Sequence, residues 1–415
     1  MVEQKNLRDI KILNRAKVLR LICERPHLTR QMIVQRTHLS KMSVTNIIGE
    51  YAARGLLAEC ACVPSDTAGA GRPACTIVTK PDALLVMGIY LSEMEITCSL
   101  INFHCEVVAA RSCVPTTTET NDELLAKIDE LLCGALEDGG VRAGDLFGIG
   151  IASVGLIDYG RGRMLRADNF PRIADLPLVD YYKRRFSLPV MLANDMDASA
   201  IAEKYFGCGV GVSDFIYVGV NSCIGVGLYI GDRIYRGHNG LAGELGYTTI
   251  DYQGPRFPCG NRGRLEAYVR IDKFVHQANC DLAAGAPGLP PFAKHHMVTW
   301  PDIISEARKG SPYCLSAIHE IGDYLSVALV NLINLFDPEM IVLGGQIAAA
   351  GDLIVDYVAQ SVRGRSVKRL LAGLDSAEKY QETRIALAHF GNRSAAIGAG
   401  AILYDALFQG ELSAL

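Results

Sequence analysis

Between Thr29 and Arg54 the apolar residues Ile33, Val34, Leu39, Val44, Ile47 and Ile48 recur at three- and four-residue steps, the period of a buried helix face. The pattern predicts two short helices joined by the polar turn Thr37-His38-Leu39-Ser40, with Leu39 pointing back into a small core. Thr29 and Ser40 stand where an N-cap would satisfy the first free amides. What stays outward on the second helix is Lys41, Met42, Ser43, Thr45 and Asn46, side chains of a size to reach base edges in a major groove. The spacing is that of a helix-turn-helix. An ordinary helical hairpin carries the same apolar spacing, and His38 stands where a turn usually holds Gly because positive φ is cheap there.

On either side the periods change. Val18, Leu19, Leu21 and Ile22 give a first helix over Asn14–Glu24, with Arg15, Lys17 and Arg20 on its other face and Pro26 after it. Gly55–Glu59 reads as a helix stop running into a strand, and Thr76-Ile77-Val78 as a second strand across a Gly-rich loop. Strand, loop, strand makes a wing, and the expected head is a winged helix-turn-helix over residues 1–65, with wing end and linker over 66–80. Arg72, held between Gly71 and Pro73, fits an arginine entering a minor groove or a solvated linker arginine equally. Beyond residue 80, Leu84–Ile89, Ile96–Phe103 and Val107–Ser112 follow at meander spacing. Thr120-Asn121-Asp122-Glu123 is a capping-box signature opening a helix to about Asp138. Leu146–Ala152 and Pro189–Ala193 return to strand, the latter leading into Asn194-Asp195. Strands mixed with helices in this way predict an α/β body over residues 81–415.

Charge separates the helix-turn-helix from the plain hairpin. Residues 1–80 hold 13 Lys+Arg and 6 Asp+Glu, a net of +7; the whole chain is −4, so residues 81–415 carry −11. A basic head on an acidic body is an electrostatic footprint for phosphate, and double-stranded DNA is the expected partner. Residues 3–25 alternate charged and apolar, unlike a secretory signal. The most apolar helix, Tyr324–Phe336, is too short to span a bilayer and contains Asn331 and Asn334. A cytoplasmic protein with no membrane partner is expected. The 13 cysteines lack framework spacing and read mostly as small buried hydrophobes, the Cys60-Ala61-Cys62 pair included.

An ordered series of stretches then carries a family resemblance: Gly148–Asp158 (GIGIASVGLID), Leu192-Ala-Asn194-Asp195, Gly219–Gly227 (GVNSCIGVG), Ala242–Tyr247 (AGELGY), Pro258–Glu266 (PCGNRGRLE), Ile341–Gly345 and Ala395–Gly400. Together they resemble the ROK family, which unites bacterial sugar kinases with transcriptional repressors. The resemblance implies a two-lobed actin-like (ribonuclease H-like) body and, with the head, the family's repressor branch. That branch ends its head in a Gly-Arg-Pro linker, matched here by Gly71-Arg72-Pro73.

It also implies roles residue by residue. Asp195 matches the kinases' general base, and Asn169, Asn194, Glu244 and Glu266 match sugar contacts. Tyr247 stands where the family has a histidine that orients sugar hydroxyls and binds zinc. The kinases' phosphate loop aligns with Tyr90–Met94, which lacks its glycines, while Glu93 and Glu95 add negative charge worth about 1–4 kcal/mol of repulsion each against a triphosphate. At the four implied zinc positions stand Tyr247, Phe257, Cys259 and Arg264, and one thiol cannot make a tetrahedral site. The expectation is therefore no catalytic residue, no cofactor and no metal. A sugar-like effector is held at Asn169, Asn194, Asp195, Glu244, Tyr247 and Glu266. An inverted-repeat operator is read by a homodimer or higher homo-oligomer through Thr29, Ser40, Lys41, Met42, Ser43, Thr45, Asn46 and Arg72. The alternatives are a ROK sugar kinase with an appended head, and a constitutive DNA-binding protein whose body serves only to dimerise.

Overall fold

The computed structural model describes residues 7–60, 75–116, 118–167, 170–292, 297–371 and 381–413. Residues 1–206 with 395–415 form one compact unit, and residues 207–394 form a second.

The first unit opens with helix α1 (Leu7–Glu24), strand β1 (Leu28–Thr29), helices α2 (Arg30–Thr37) and α3 (Lys41–Ala53), and strands β2 (Leu57–Cys60) and β3 (Thr76–Thr79). The strands pair antiparallel in the order β1-β3-β2. Helix α1 starts at Leu7, not at Asn14. Its early turns have a partner far along the chain, because Ile12, Leu13 and Ala16 lie against Gly410. Val18, Leu19, Ile22, Ile33, Val44, Ile47, Ile48 and Tyr51 are buried, whereas Leu39 is only half-buried.

The same unit continues with β4 (Val86–Leu91), β5 (Ile96–Ile101), β6 (Val107–Cys113), α4 (Asn121–Gly139), β7 (Gly148–Ser153), the short β8 (Leu156–Asp158), β9 (Arg163–Arg166) and β10 (Ala174–Leu176), α5 (Leu178–Phe186), β11 (Val190–Asn194) and α6 (Asp195–Phe206). The main sheet runs β6-β5-β4-β7-β11, with β4, β5 and β6 an antiparallel meander and β7 and β11 added in parallel. Pairing with β7 fixes β4 at Val86–Leu91 rather than Leu84–Ile89. The Thr120 capping box forms as expected.

The second unit repeats the plan. Strands β12 (Phe215–Val220), β13 (Ile224–Ile230) and β14 (Arg233–Ile234) are antiparallel. After helices α7 (Glu266–Val269), α8 (Ile271–Ala283), α9 (Trp300–Arg308) and α10 (Pro312–Phe336), β15 (Met340–Gly345) joins β12 in parallel. Helix α11 (Asp352–Val362) leads to β16 (Arg384–Leu387), parallel to β15. The sheet order β14-β13-β12-β15-β16 is the first unit's order over again. Each unit thus contains a ribonuclease H-like lobe, and the chain is a mixed α/β protein of the actin-like class. Among the described residues no helix is long and apolar enough to cross a membrane.

The C-terminal helix, Ser394–Gln409, approaches the first sheet closely enough to exclude side chains. A Cβ on Gly150 would land inside the carbonyl oxygen of Ala399, and one on Gly398 would strike the carbonyl of Ala198. Gly150→Ala must therefore lift the helix off the sheet. It is expected to cost about 3 kcal/mol or more in urea unfolding, and a loss under ~1 kcal/mol would mean that the contact is loose.

Candidate functional site

The first candidate surface is built by α2 and α3. Thr29 caps α2, its side chain accepting from the Met32 amide at 3.3 Å; Ser40 caps α3, accepting from the Ser43 amide at 3.1 Å. Between the helices His38 takes φ 58°, so the positive dihedral of the turn is present without glycine. Lys17 on α1 donates to the Thr37 carbonyl at 2.9 Å, and Arg15 pairs with Glu50, which ties both helices to α1. With Val44, Ile47, Ile48 and Tyr51 buried, α3 turns Lys41, Met42, Thr45 and Asn46 to solvent; Met42 is 74% exposed. Ser43 is half-buried, and its hydroxyl lies 2.9 Å from that of Ser40. Arg72 lies outside the described residues.

The second candidate lies at the β11–α6 junction. Asn194 accepts from the Met196 amide at 2.9 Å, at the start of α6. The Asn194 amide meets the Tyr159 hydroxyl at 3.3 Å, and that hydroxyl donates to Asp197 at 3.0 Å. Asp195 is buried, and its carboxyl is pushed up to about 7, first by loss of water and then by the charge of Glu93. Glu93 sits in a turn closed on itself: the Ser92 amide donates to the Glu95 carbonyl at 3.0 Å, and the Glu95 amide to the Ser92 hydroxyl at 3.1 Å. A turn whose polar groups serve each other, with a carboxylate at its tip, cannot cradle phosphate as a glycine loop does.

The third candidate lies in the second unit. Glu244 precedes a short turn, Leu245–Tyr247, and Glu266 opens α7. Their carboxyls are neighbours. Although Glu244 reaches solvent, the protein around its carboxyl and the charge of Glu266 hold its pKa above the usual carboxylate range. Gly246 lies beside Glu266, where a Cβ would sit 3.4 Å from a carboxylate oxygen. Tyr247 is 47% exposed, and the Arg264 guanidinium covers one face of its ring. Asn169 lies outside the described residues. Of the expected contacts, Asn194 and Asp195 are adjacent in one unit, and Glu244, Tyr247 and Glu266 cluster in the other.

Sequence reading missed the two carboxylates' mutual effect on protonation, and it missed Arg264. The only signal for Arg264 was its place after Tyr247 and Phe257, which says nothing of stacking. The family's zinc does not fit here. Tyr247, Phe257, Cys259 and Arg264 offer one thiol, one phenol, a hydrocarbon ring and a cation, and the last repels a metal ion.

The family model described as ROK matches residues 86–406. A xylose repressor of Caldicellulosiruptor bescii is 30% identical over 364 residues, which is 86% of this chain and 89% of that protein. A solved ROK family transcriptional regulator, described as a homologue of the Escherichia coli MLC protein, matches with TM-score 0.78 at 26% identity, covering 97% of this chain and 98% of that one. A ROK family glucokinase from Streptomyces griseus, solved with glucose and AMPPNP, matches with TM-score 0.64 at 26% identity, over 77% of this chain and 98% of its own. The regulator is matched along nearly the whole chain, head included; the kinase has no counterpart for about a quarter of it.

Proposed function

This chain belongs to the ROK family, and from that premise we propose that it is a cytoplasmic transcriptional repressor of carbohydrate-utilisation genes, released from its operator by a sugar-like effector. It belongs with the repressors rather than with the kinases. The observation that carries the DNA reading is α3: a helix buried on one face, capped at Ser40, presenting Lys41, Met42, Thr45 and Asn46 outward from a basic head. In a winged helix-turn-helix this helix enters the major groove, where Asn46 would meet base edges and Lys41 phosphate. A homodimer would present two such helices to an inverted repeat, since a two-fold protein mirrors a palindromic site.

The effector reading rests on the polar residues of the body. Asn194, Asp195, Glu244 and Glu266 offer acceptors to the hydroxyl donors of a neutral polyol, with no cation among those four to favour an anionic ligand. Effector affinity and operator affinity are then coupled reciprocally, typically by ~1–3 kcal/mol, so effector should lower operator affinity roughly 5- to 150-fold.

The test is anisotropy on labelled genomic fragments, first against salt and then against unmodified sugars. Affinity should fall steeply with salt through counterion release. Asn46→Ala should lose about 1–3 kcal/mol of discrimination between operator and scrambled duplex, while Lys41→Ala should weaken both alike. Salt-independent binding, or none to any fragment, would refute the DNA reading. Glu244→Ala should abolish the sugar response and leave sugar-free DNA binding intact.

A further inference from the structure

In the second unit the segment from Tyr247 to Glu266 has almost no regular structure. It contains two isolated antiparallel bridges, Thr249 with Arg264 and Arg256 with Arg262, and a turn in which the Gly260 amide donates to the Phe257 carbonyl at 2.9 Å. Polar ties cross it: Asn261 donates to the Tyr247 carbonyl at 3.0 Å, and Thr249 donates to the Asn261 side-chain carbonyl at 2.8 Å. Backbone bonds from the Leu265 amide to the Thr248 carbonyl and from the Ile250 amide to the Gly263 carbonyl, both 2.9 Å, close its base. Near its end the Arg264 guanidinium carbon lies 4.1 Å from the centre of the Tyr247 ring and 4.7 Å from that of Phe257. One terminal nitrogen donates to the Cys259 sulfur. Its Nε is buried and has no hydrogen-bond partner among the described residues. A buried donor is tolerated without an acceptor when a π-face supplies the negative potential.

We propose that Arg264 is a positioning residue, a cationic pin that gathers Tyr247, Phe257 and Cys259 and so sets Tyr247 and Glu266 for the effector. Arg264 and the three residues it gathers are the same four that fail to make a metal site. A fixed positive charge on the chain thus does the cross-linking that a bound ion would do, with no dependence on metal supply. The geometry needs a guanidinium: its flat, weakly hydrated plane lies against aromatic faces and still leaves edge N–H groups for a sulfur, whereas an ammonium is a strongly hydrated point charge. Position gives the pin its consequence. Tyr247 is three residues after Glu244, and Arg264 is two before Glu266, so loosening the pin frees both ends of the segment that carries these acids.

The effector part of this inference rests on the sugar-sensing reading above; the pin itself does not. The experiment uses the full chain with Arg264→Gln and Arg264→Lys. Hydrogen exchange by mass spectrometry reads peptides within 247–263, with Pro312–Phe336 as internal control. Calorimetry with a panel of unmodified pentoses, hexoses and N-acetylhexosamines reads ligand binding. Arg264→Gln should speed exchange of the segment about tenfold and weaken sugar binding about tenfold, the scale of a half-buried cation–π cluster, while the control helix is unchanged. Arg264→Lys should fall between parent and Gln in both. EDTA should leave the parent's exchange unaltered. Parent-like exchange in Arg264→Gln overturns the pin, as does loosening of the parent by EDTA, since a metal would then be doing the work. If no sugar binds the parent but Arg264→Gln still loosens the segment, the pin stands and the effector reading falls.

Discussion

Asp195→Asn is expected to make the protein more stable at pH 8, by up to ~4 kcal/mol, and to change it little at pH 4. The folded carboxyl titrates at about 7 because it is buried and faces Glu93, whereas the unfolded one titrates at its ordinary 3.8. Below pH ~4 both states hold the proton and the residue contributes nothing to the pH dependence. Between ~4 and ~7 the folded state holds a proton that the unfolded state has lost, so stability falls as pH rises. Above ~7 both are ionised and the whole penalty is present. Asparagine cannot ionise and escapes it. Urea midpoints at pH 4, 6 and 8 for parent and variant give the difference directly, and other titrating groups cancel. A difference independent of pH would mean that Asp195 is ionised and solvated in the folded protein. The effector corollary has the same origin: a hydroxyl donating to the carboxylate favours its charged form, so binding near pH 6 should release protons.

The second large effect is expected where the head meets the first lobe. The Lys204 ammonium, on a side chain 1% exposed, lies 3.7 Å from Glu24, itself 11% exposed. Glu24 also accepts from Arg20 at 2.7 Å, and Arg20 lies 5.7 Å from the centre of the Tyr205 ring. Glu24→Leu removes the carboxylate beside a buried ammonium. The expected loss is about 3–5 kcal/mol, nearer the lower figure because Lys204 keeps further interactions. Glu24→Leu with Lys204→Met should recover most of it, since a buried pair exchanged for apolar groups is often near neutral. A single-variant loss below ~1 kcal/mol would show that the pair behaves as a surface one.

These two sites mark how far sequence reasoning reached. The caps at Thr29, Ser40 and Thr120 were legible because a cap is a local bargain between one side chain and amides three residues on. The meander and the strands near Leu146–Ala152 and Pro189–Ala193 were legible, and their pairing and registers were not, because register is set by a partner strand such as β7. The early turns of α1 were missed for the same reason: Ile12 and Leu13 lie against Gly410, and no local period reports that. Asp195, Glu244 and Glu266 were named through the family pattern, while the charge state of Asp195 depends on burial and on Glu93 in another loop. Nothing in the local sequence marks Lys204 as buried. Its burial becomes visible only once α1 lies beside it.

That seam makes the first eighty residues something other than an exchangeable cassette. Glu24 and Arg20 are matched to Lys204 and Tyr205, the face of Ile12, Leu13 and Ala16 to Gly410, and Thr79 to His104 at 2.9 Å. A chimaera that grafts a relative's head onto this body inherits a buried ammonium facing a foreign surface, and it must transplant the α6 and C-terminal faces as well. The solvent-facing Lys41, Met42, Thr45 and Asn46 can be exchanged one at a time, whereas the joint beneath them tolerates only paired substitutions on both sides.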